Sequence, residues 1–453
     1  MKHALLSIVL LVAGVGALGQ NVPFDKEHIK DAATLKLAQE AIKQGDKLAG
    51  GGAHALGLAL ANYQEAYTIN PDNAALNMKM GLAHLNGAQR HLCLPYFEAA
   101  AELDPSFEGV HFFVGIGNHL NGNWDKALAA YEQHKKGQAS MVGGADPRMA
   151  NLEKLMVECR SGKALSAVRT DATITALGPS VNCEQTDYGV LVDNTSDRIL
   201  FTSRRASTTG GKINKATNEY FEDIYCSTHS GIGYSAPTPM APPVNTIGND
   251  ASVCLSADGG TMLIYRDVAG PGDIYRSDKL NGTWSVPAKL GANVNTKYHE
   301  GSAWITADKQ WIYFMSDRPE ESLGGQDIYR SRWDEATNEW GIAENLGPDV
   351  NSAFDEDGIC VSPDGNTIYF SSKGHNTIGG YDVFMSRFEN GFWSKAKNLG
   401  VPVNSPDDDL YFVLSSDGVT GYFSSVRPGG EGQDDIYRVD LSPAGQDTGY
   451  KGK

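Results

Sequence analysis

The segment DEDGICVSPDGNTIYFSSKGHNTIGGYDVFMSR, residues 355–387, decides the fold because related segments recur along the chain. The other copies begin at Tyr188, Ala251, Gly301 and Leu410. Each copy contains a DIY or DVF triplet near its end, and successive triplets lie 50 to 55 residues apart. The triplet aspartates are Asp223, Asp273, Asp327, Asp382 and Asp435. A period of this length indicates one structural unit used five times.

Each copy is built from short segments typical of β-strands. In the fourth copy we expect a first strand over residues 358–362, ending at a PDG turn where glycine supplies a positive φ. An aromatic strand over residues 367–371 follows, then a third strand on YDVFMSR and a fourth on WSKAKNLG. Four short strands at a period near fifty are typical of a propeller blade. The sequence therefore predicts an all-β propeller of five blades, with six as the alternative.

A tail ending in Val-Asn follows four of the copies, at Asn245, Asn295, Asn351 and Asn404. The last copy has no such tail, whereas a tail ending at Asn182 precedes the first copy. We therefore expect the strand on DATITALGPSVN to complete the last blade. This pairing would cover a sheet edge and close the ring.

The N-terminal third carries a second, helical repeat. Pro71 and Pro105 follow Asn and Asp at a spacing of 34 residues, and Gly81 and Gly115 repeat at the same spacing. A 34-residue period with an Asx-Pro turn is the signature of tetratricopeptide repeats. Proline needs no amide donor at the start of a helix, and the two glycines allow paired helices to approach closely.

A third helical unit lies on NWDKALAAYEQH, and we expect flanking helices over residues 25–49 and 146–161. The prediction is therefore an all-α helical repeat over residues 25–165, followed by the propeller over 171–442 and a tail over 443–453. A stack of this kind presents a concave groove that binds a peptide or a partner helix. The alternative is a spacer that caps the propeller.

Composition and the chain start restrict the class of protein. Residues 1–19, MKHALLSIVLLVAGVGALG, have the basic start, apolar run and small final residues of a secretory signal peptide. No later stretch has the eighteen or so apolar residues of a membrane helix, so we expect no direct membrane insertion. The formal net charge of −17 argues against a nucleic-acid partner.

Six scattered cysteines indicate neither a disulfide framework nor a CxxC zinc site. We expect most of them to be small core residues, and Cys183 with Cys226 is the first pair to test for a disulfide. The sequence contains no GxSxG elbow and no HExxH motif, and its histidines show no ligand spacing. We therefore expect a protein without catalytic residues, metal or cofactor.

An acidic residue stands five positions after each tail asparagine, at Asp187, Asp250, Glu300, Glu356 and Asp409. A five-fold ring of carboxylates at one mouth of the propeller could bind a cation or a basic peptide. In the alternative, structural interpretation each carboxylate pairs with a basic residue after the second strand. Those basic residues are Arg204 or Arg205, Arg266, Arg318, Lys373 and Arg427. The triplet aspartates have a structural interpretation too, as acceptors for amides of their own turns.

The motif set VSPDGNTIYFSS, GGYDVFMSR, NLG and VN resembles the WD40-like PD40 repeats of TolB-type propellers. A signal peptide, tetratricopeptide repeats and then a PD40 propeller is an order similar to that of exported envelope proteins of Bacteroidetes. The similarity is greatest to the PorE-type component of the type IX secretion system, and it covers residues 25–442. PorE-type proteins carry a further OmpA-like domain that binds peptidoglycan. This sequence lacks that domain, so the expectation of direct anchoring does not extend to it.

The resemblance implies a non-enzymatic periplasmic scaffold at the outer membrane, with secretion from the cell as the alternative. Its partners would be other envelope proteins, peptidoglycan-associated proteins among them, bound by the helical groove and a propeller face. A second hypothesis is a glycan- or peptide-binding propeller that uses the acidic mouth together with tryptophans. The tryptophans concerned are Trp284, Trp311, Trp340 and Trp393. Packing between blades is their alternative use.

Overall fold

A computed structural model describes residues 20–51, 53–139, 146–168, 170–215, 217–231, 233–268 and 270–441. The predicted signal peptide and the tail over residues 443–453 lie outside the described residues. Across these ranges no helix has both the length and the apolar character needed to cross a bilayer.

The N-terminal region is helical. Within the described ranges its α-helices are α1 Ala32–Ala49, α2 Ala53–Leu58, α3 Leu60–Ile69, α4 Ala74–Leu85, α5 Leu94–Leu103, α6 Val110–Leu120, α7 Trp124–Ala139 and α8 Met149–Ser166. A short 3₁₀ turn, Arg90–Cys93, precedes α5. The first helix begins later than the predicted residue 25 because Asp31 caps it, accepting a 2.8 Å hydrogen bond from the Thr34 amide.

Glycine–aromatic pairs hold neighbouring helices together at the repeat spacing. A Cβ atom on Gly81 of α4 would lie 2.3 Å from the ring of Phe97 on α5. A Cβ atom on Gly115 of α6 would lie 2.3 Å from the ring of Tyr131 on α7. Both aromatic rings are fully buried. The expectation that these glycines permit close helix approach is confirmed, since any larger residue would force the helices apart.

The C-terminal region is a five-bladed propeller. In chain order its strands are β1 Thr173–Ala176, β2 Asp187–Asp193, β3 Arg198–Ser203, β4 Ile213–Asn214, β5 Glu219–Tyr220, β6 Asp223–Thr228, β7 Thr238–Pro239, β8 Ala251–Leu255, β9 Thr261–Arg266, β10 Asp273–Leu280, β11 Thr283–Trp284, β12 Ala288–Lys289, β13 Ala303–Ile305, β14 Trp311–Ser316, β15 Asp327–Asp334, β16 Glu339–Trp340, β17 Glu344–Asn345, β18 Glu356–Val361, β19 Thr367–Ser372, β20 Asp382–Glu389, β21 Phe392–Trp393, β22 Lys397–Asn398, β23 Asp409–Leu414, β24 Thr420–Ser425 and β25 Asp435–Asp440.

The blades form a closed ring. The inner strands are β2, β8, β13, β18 and β23, and each neighbours the next, with β23 beside β2. Apolar cores fill the spaces between adjacent blades, including the space between the first and last. Five blades are therefore confirmed, and the alternative of six is wrong.

The strand pattern within a blade matches the sequence prediction except at the outer edge. In the fourth blade, β18, β19 and β20 pair antiparallel in order. The predicted fourth strand is two short pieces, β21 and β22, and both pair with β20. Between these pieces the Ser394 amide donates to the Arg387 carbonyl at 2.8 Å, but the Arg387 amide donates to the Ser394 hydroxyl at 3.0 Å and not to a backbone carbonyl, which interrupts the ladder.

The tail asparagines make the same two hydrogen bonds in every blade. Each side-chain oxygen accepts from the amide of the residue after a triplet aspartate, and each side-chain nitrogen donates to the carbonyl of that same residue. For Asn351 these bonds to Ile328 are 2.8 and 3.0 Å. The same pairs join Asn245 to Ile224, Asn295 to Ile274, Asn404 to Val383 and Asn182 to Ile436.

Asn182 is the member of this set that joins the two ends of the propeller. It precedes the first blade, yet its bonds of 2.9 and 3.1 Å reach Ile436 in the last one. Upstream of it, β1 pairs antiparallel with β25, from Thr173 opposite Asp440 to Ala176 opposite Tyr437. The last blade therefore has four strands, of which the outer one comes from the start of the propeller sequence.

One end of the propeller, here called the mouth face, carries the loops before the inner strands and the loops after the second strand of each blade. The helical region contacts the propeller on this face. His119 at the end of α6 donates to the Ile378 carbonyl at 2.7 Å. Arg90 forms an ion pair with the Asp407 carboxylate, and burial raises the pKa of Asp407 to about 6. The Gln89 side chain reaches the Gly430 carbonyl at 3.4 Å. These contacts, here called the junction, involve blades four and five.

All six cysteines are free thiols, so Cys183 and Cys226 are not joined. Cys93, Cys159, Cys254 and Cys360 are buried. Burial raises the pKa of each of these four thiols to about 12, as expected for small core residues.

Replacing Asn182 with alanine tests the link between the propeller ends. The change removes the partner of the buried Ile436 amide, whereas the Ile436 carbonyl keeps the Leu177 amide as a donor at 3.0 Å. We therefore expect a loss of about 1–3 kcal/mol in the free energy of unfolding, measured in urea. Asn351→Ala is the matched control, because it removes the same two bonds within a single blade. Only Asn182→Ala should make residues 170–186 sensitive to limited proteolysis. A cost below about 0.5 kcal/mol for Asn182→Ala would contradict the prediction.

Candidate functional site

The five carboxylates predicted as a ring are fully buried. Asp187, Asp250, Glu300, Glu356 and Asp409 have no exposed surface. Each accepts a hydrogen bond from the backbone amide four residues earlier, at 2.5 to 2.9 Å. The binding interpretation requires carboxylate oxygens open to solvent, and these side chains do not present them. The placement instead supports the structural interpretation, in which each carboxylate fixes the turn before its own inner strand.

Four of the five carboxylates pair with an arginine. The distances are 2.6 Å for Arg205 with Asp187, 2.5 Å for Arg266 with Asp250, 3.4 Å for Arg318 with Glu300 and 2.7 Å for Arg427 with Asp409. All four arginines also donate to the carbonyl of the valine that precedes a tail asparagine. Three of these contacts are Arg266 with Val244, Arg318 with Val294 and Arg427 with Val403. Arg205 makes the same contact with Val181 at 2.7 Å. Each guanidinium therefore joins the tail of the preceding blade to the buried acid that begins its own blade.

Glu356 is the exception. The predicted partner Lys373 pairs with Asp355 at 3.0 Å, so the expected contact with Glu356 is wrong. Glu356 instead accepts from the hydroxyls of Ser352 and Ser372, at 2.5 and 2.6 Å. Without a guanidinium to offset desolvation, burial raises the pKa of Glu356 to about 7.

The triplet aspartates also act within their blades. Asp223 accepts from the Thr209 amide, and Asp327, Asp382 and Asp435 accept from the amide four residues earlier, at 2.6 to 2.8 Å. Asp273 differs, since it pairs with Lys289 at 2.7 Å. The four tryptophans proposed for glycan binding lie between blades: Trp340 and Trp393 are buried in those cores, and Trp284 and Trp311 pack against them.

A cavity of about 310 Å³ opens on the mouth face at the centre of the ring. Residues at the start of four inner strands, and Gly301 and Ser302 just before the fifth, β13, line this cavity, which we call the funnel. Its polar and aromatic lining is drawn from different blades and consists of Tyr188, Arg204, Glu222, Asn249, Tyr265, Asp267, His299, Ser302, Asp357 and Tyr411. The blade-one hairpin of β4 and β5 contributes Asn214 to the rim.

Asp357 lies in the funnel wall one position after the buried Glu356. It accepts hydrogen bonds from the Gly358 amide at 2.7 Å and from the Ser302 hydroxyl of the neighbouring blade. The Tyr411 hydroxyl lies 3.4 Å from its other oxygen. Burial raises the pKa of Asp357, because few groups there compensate the lost hydration.

Tyr411 has a backbone conformation that is rare for tyrosine, with φ at +55°. The corresponding positions, two residues after the buried acid, are Gly189 and Gly358 in blades one and four, with φ at +63° and +62°. An irregularity in strand pairing occurs at the same place in these three blades. A bulky residue in this conformation costs about 1–3 kcal/mol. The strained backbone at Tyr411 places a phenol ring in the funnel, whereas the corresponding residues Gly189 and Gly358 have no side chain there.

Sequence reasoning missed the funnel, although a signal was present. The positions two after each buried acid are Gly189, Ser252, Ser302, Gly358 and Tyr411. Four small residues and one tyrosine in the same register mark the fifth copy as different. The prediction followed the residues that all copies share, whereas the funnel is lined by those that differ.

The geometry defines a five-bladed propeller joined to a helical region, with one open central cavity on the junction side. No family model matches the chain, and no curated protein sequence matches it.

Similar solved structures include a TolB protein of Agrobacterium tumefaciens, with 19% identity, a TM-score of 0.35 and coverage of 57% of this chain and 79% of that one. The PQQ-bound aldose sugar dehydrogenase of Streptomyces coelicolor has 11% identity, a TM-score of 0.36 and coverage of 60% and 99%. The propeller domain of the trilobed protease of Pyrococcus furiosus has 12% identity, a TM-score of 0.31 and coverage of 56% and 80%. No function is inferred from likenesses this distant.

Replacing Glu356 with glutamine tests its raised pKa. The unfolded carboxyl titrates near 4.5 and the folded one near 7, so the unfolded chain loses its proton first as pH rises. Stability from this group is therefore full below pH 4.5 and is lost as pH rises through 7. At pH 8 we expect Glu356→Gln to raise the free energy of unfolding by about 2 kcal/mol and to flatten its decline from pH 5 to 7, measured in urea.

Glu300→Gln is the matched control at the same register. It leaves Arg318 without its carboxylate, so we expect this substitution to lower stability at pH 8. If both substitutions lowered stability at pH 8 to the same extent, the interpretation of Glu356 as an unpaired buried acid would be wrong.

Proposed function

We propose that this chain is a non-enzymatic scaffold of the cell envelope, in which the helical region and the propeller together bind protein partners. The observation that carries the proposal is the junction. It fixes the helical region on blades four and five and leaves the funnel open on the same face. Two modules therefore contribute to one continuous binding surface.

The contacts at the junction are specific and partly buried. His119 is 3% exposed and Asp407 is 8% exposed, and both use their polar atoms in the junction. Burial lowers the pKa of His119, which keeps the ring neutral as a donor to Ile378. A surface whose two parts are already fixed loses less entropy when it binds a partner. This favours a scaffold over two independent modules on a flexible linker.

The compartment and the system are part of the proposal and rest on the sequence. The N-terminal segment resembles an export signal, so we propose a periplasmic location at the outer membrane. The repeat order supports membership of the type IX secretion machinery, with other envelope proteins as partners. The 34-residue period, together with the pairs Gly81–Phe97 and Gly115–Tyr131, supports a tetratricopeptide identity for the helices.

We also propose that β1 closes the propeller ring. Its antiparallel pairing with β25 and the bonds of Asn182 to Ile436 support this role. Apolar side chains packed between the first and last blades also hold these two blades together. A sheet edge that would otherwise be open to other chains is thereby covered.

A glycan- or peptide-binding propeller is the second candidate function. The funnel favours it, because a 310 Å³ cavity with three tyrosines and several polar groups falls within the size range of small-molecule sites, about 300–1,000 Å³. In this version the ligand contacts the funnel tyrosines. The buried carboxylates and the tryptophans between blades take no part.

Site-specific photocrosslinking in cells tests the scaffold. A photoreactive amino acid at exposed Lys297 on the mouth face should give defined adducts with envelope proteins, identified by mass spectrometry. The same amino acid at exposed Asp364, on a turn at the opposite end of the channel, is the matched control and should give few adducts. Arg90→Ala, which breaks the junction, should weaken the Lys297 adducts about tenfold because it leaves the Asp407 carboxylate buried and unpaired.

Equal adducts at Lys297 and Asp364, or none at either position, would contradict the scaffold. Adducts at Lys297 that are unchanged by Arg90→Ala would indicate that the propeller binds without the helical region. Binding of isolated oligosaccharides by the full chain, lost on Tyr411→Gly, would favour the second candidate.

A further inference from the structure

We propose that the funnel binds a positively charged primary amine, of the kind that ends a lysine side chain, and that Asp357 and Tyr411 hold it. This inference rests on the binding function proposed above and names the ligand chemistry of its open cavity.

The charge of the funnel wall is the first argument. Its lining includes three carboxylates, those of Glu222, Asp267 and Asp357. Of the described residues that line it, Arg204 alone carries a permanent positive charge. Arg204 is already engaged, since it donates to Glu219 at 2.8 Å and to Glu222 at 2.6 Å. The wall therefore has surplus negative charge that a cationic ligand would neutralise.

Asp357 is the carboxylate best placed to receive that cation. Among the described residues, the Gly358 amide and the Ser302 hydroxyl donate hydrogen bonds to Asp357 within 3 Å, and both bonds reach the same oxygen, Oδ1. The other oxygen, Oδ2, has the Tyr411 hydroxyl at 3.4 Å, which is long for a hydrogen bond. Oδ2 can therefore accept a short, charge-assisted bond from an ammonium group.

The tyrosine rings supply the second half of the site. The rings of Tyr188 and Tyr411 lie 5.3 Å apart, tilted by 35°, and the Tyr411 hydroxyl is 3.4 Å from Asp357 Oδ2. An ammonium within about 6 Å of a tyrosine ring is attracted by the ring face. A tyrosine at position 411 is costly for the backbone, which adopts φ of +55° there. A ring used to bind a cation gives that cost a function.

Primary ammonium is favoured over guanidinium by the shape of the acceptor. A planar guanidinium binds best to both oxygens of a carboxylate, and Oδ1 of Asp357 is already occupied. Ammonium needs only one oxygen and can direct its other hydrogens to tyrosine faces or water.

Calorimetry on the full chain tests this inference. The probes are Nα-acetyl-lysine amide and its Nα,Nε-diacetyl counterpart, which has the same stem without the charge. We expect saturable one-to-one binding of the first probe and binding at least about tenfold weaker of the second. Butylamine tests whether the ammonium group bound by the funnel belongs to a free amine or to a lysine within a peptide. Equal binding of butylamine indicates a free amine, and much weaker binding indicates a lysine within a peptide.

Three variants complete the experiment. Asp357→Asn should weaken the lysine probe about tenfold, because it keeps the size of the side chain and removes its charge. Tyr411→Gly should weaken it to a similar extent while the melting temperature stays close to that of the parent, since glycine relieves the positive φ. Asp364→Asn, a carboxylate change on the distant turn, should leave binding unaltered.

The inference is overturned if the lysine probe does not bind at concentrations up to about 10 mM, or if both probes bind equally. Unaltered binding by Asp357→Asn would also overturn it. Photocrosslinks from Lys297 are recorded in the same variants. If amine binding is absent and the crosslinks persist, this inference fails and the scaffold stands.

Discussion

The propeller depends on one repeated interaction, the pair of hydrogen bonds between each tail asparagine and the residue after a triplet aspartate. A single buried amide satisfies both backbone groups of a third-strand residue, so the tail is fixed in position and direction. Five residues after the asparagine, the buried acid accepts a hydrogen bond from the amide of the residue that follows the asparagine, and the next inner strand begins. The asparagine thus belongs to one blade and the acid to the next, which makes this segment the joint between blades. With Asn182 the same joint connects the two ends of the ring.

Repetition explains which parts of the structure could be predicted from the sequence. The blade number, the strand order, the N-terminal helical region and most acid–arginine pairs follow from residues that recur at fixed spacing. The expected partner of Glu356 was wrong because Lys373 lies 17 positions after Glu356 and thus one position out of register. Arg205, Arg318 and Arg427 each lie 18 positions after their carboxylates, and in the fourth blade that position is Gly374. The division of the fourth strand into two pieces, by contrast, has no signal in spacing, since it depends on the Ser394 hydroxyl accepting the Arg387 amide.

The candidate site could not be predicted in the same way. The shared carboxylates are buried and hydrogen-bonded inside the blades, whereas the funnel is lined by residues that differ among the copies. Asp357, Tyr411, Arg204 and His299 come from four different blades and meet only when the ring is formed. In a repeat protein the shared positions maintain the architecture, so a position that departs from its counterparts is the better indicator of binding. Tyr411, among glycines and serines, is such a position.

Pairing between β1 and β25 also has a consequence for how the chain acquires its structure. The two strands stand at opposite ends of the propeller sequence, so their contact carries the largest loop-closure entropy in the domain. Contacts of this kind form late and slow the folding reaction. The helical region, whose helices mainly contact their neighbours in sequence, can form long before them. A chain interrupted before residue 435 would therefore have folded helices and an open last blade, and this exposed edge would direct it to proteases or aggregation and not into an assembly.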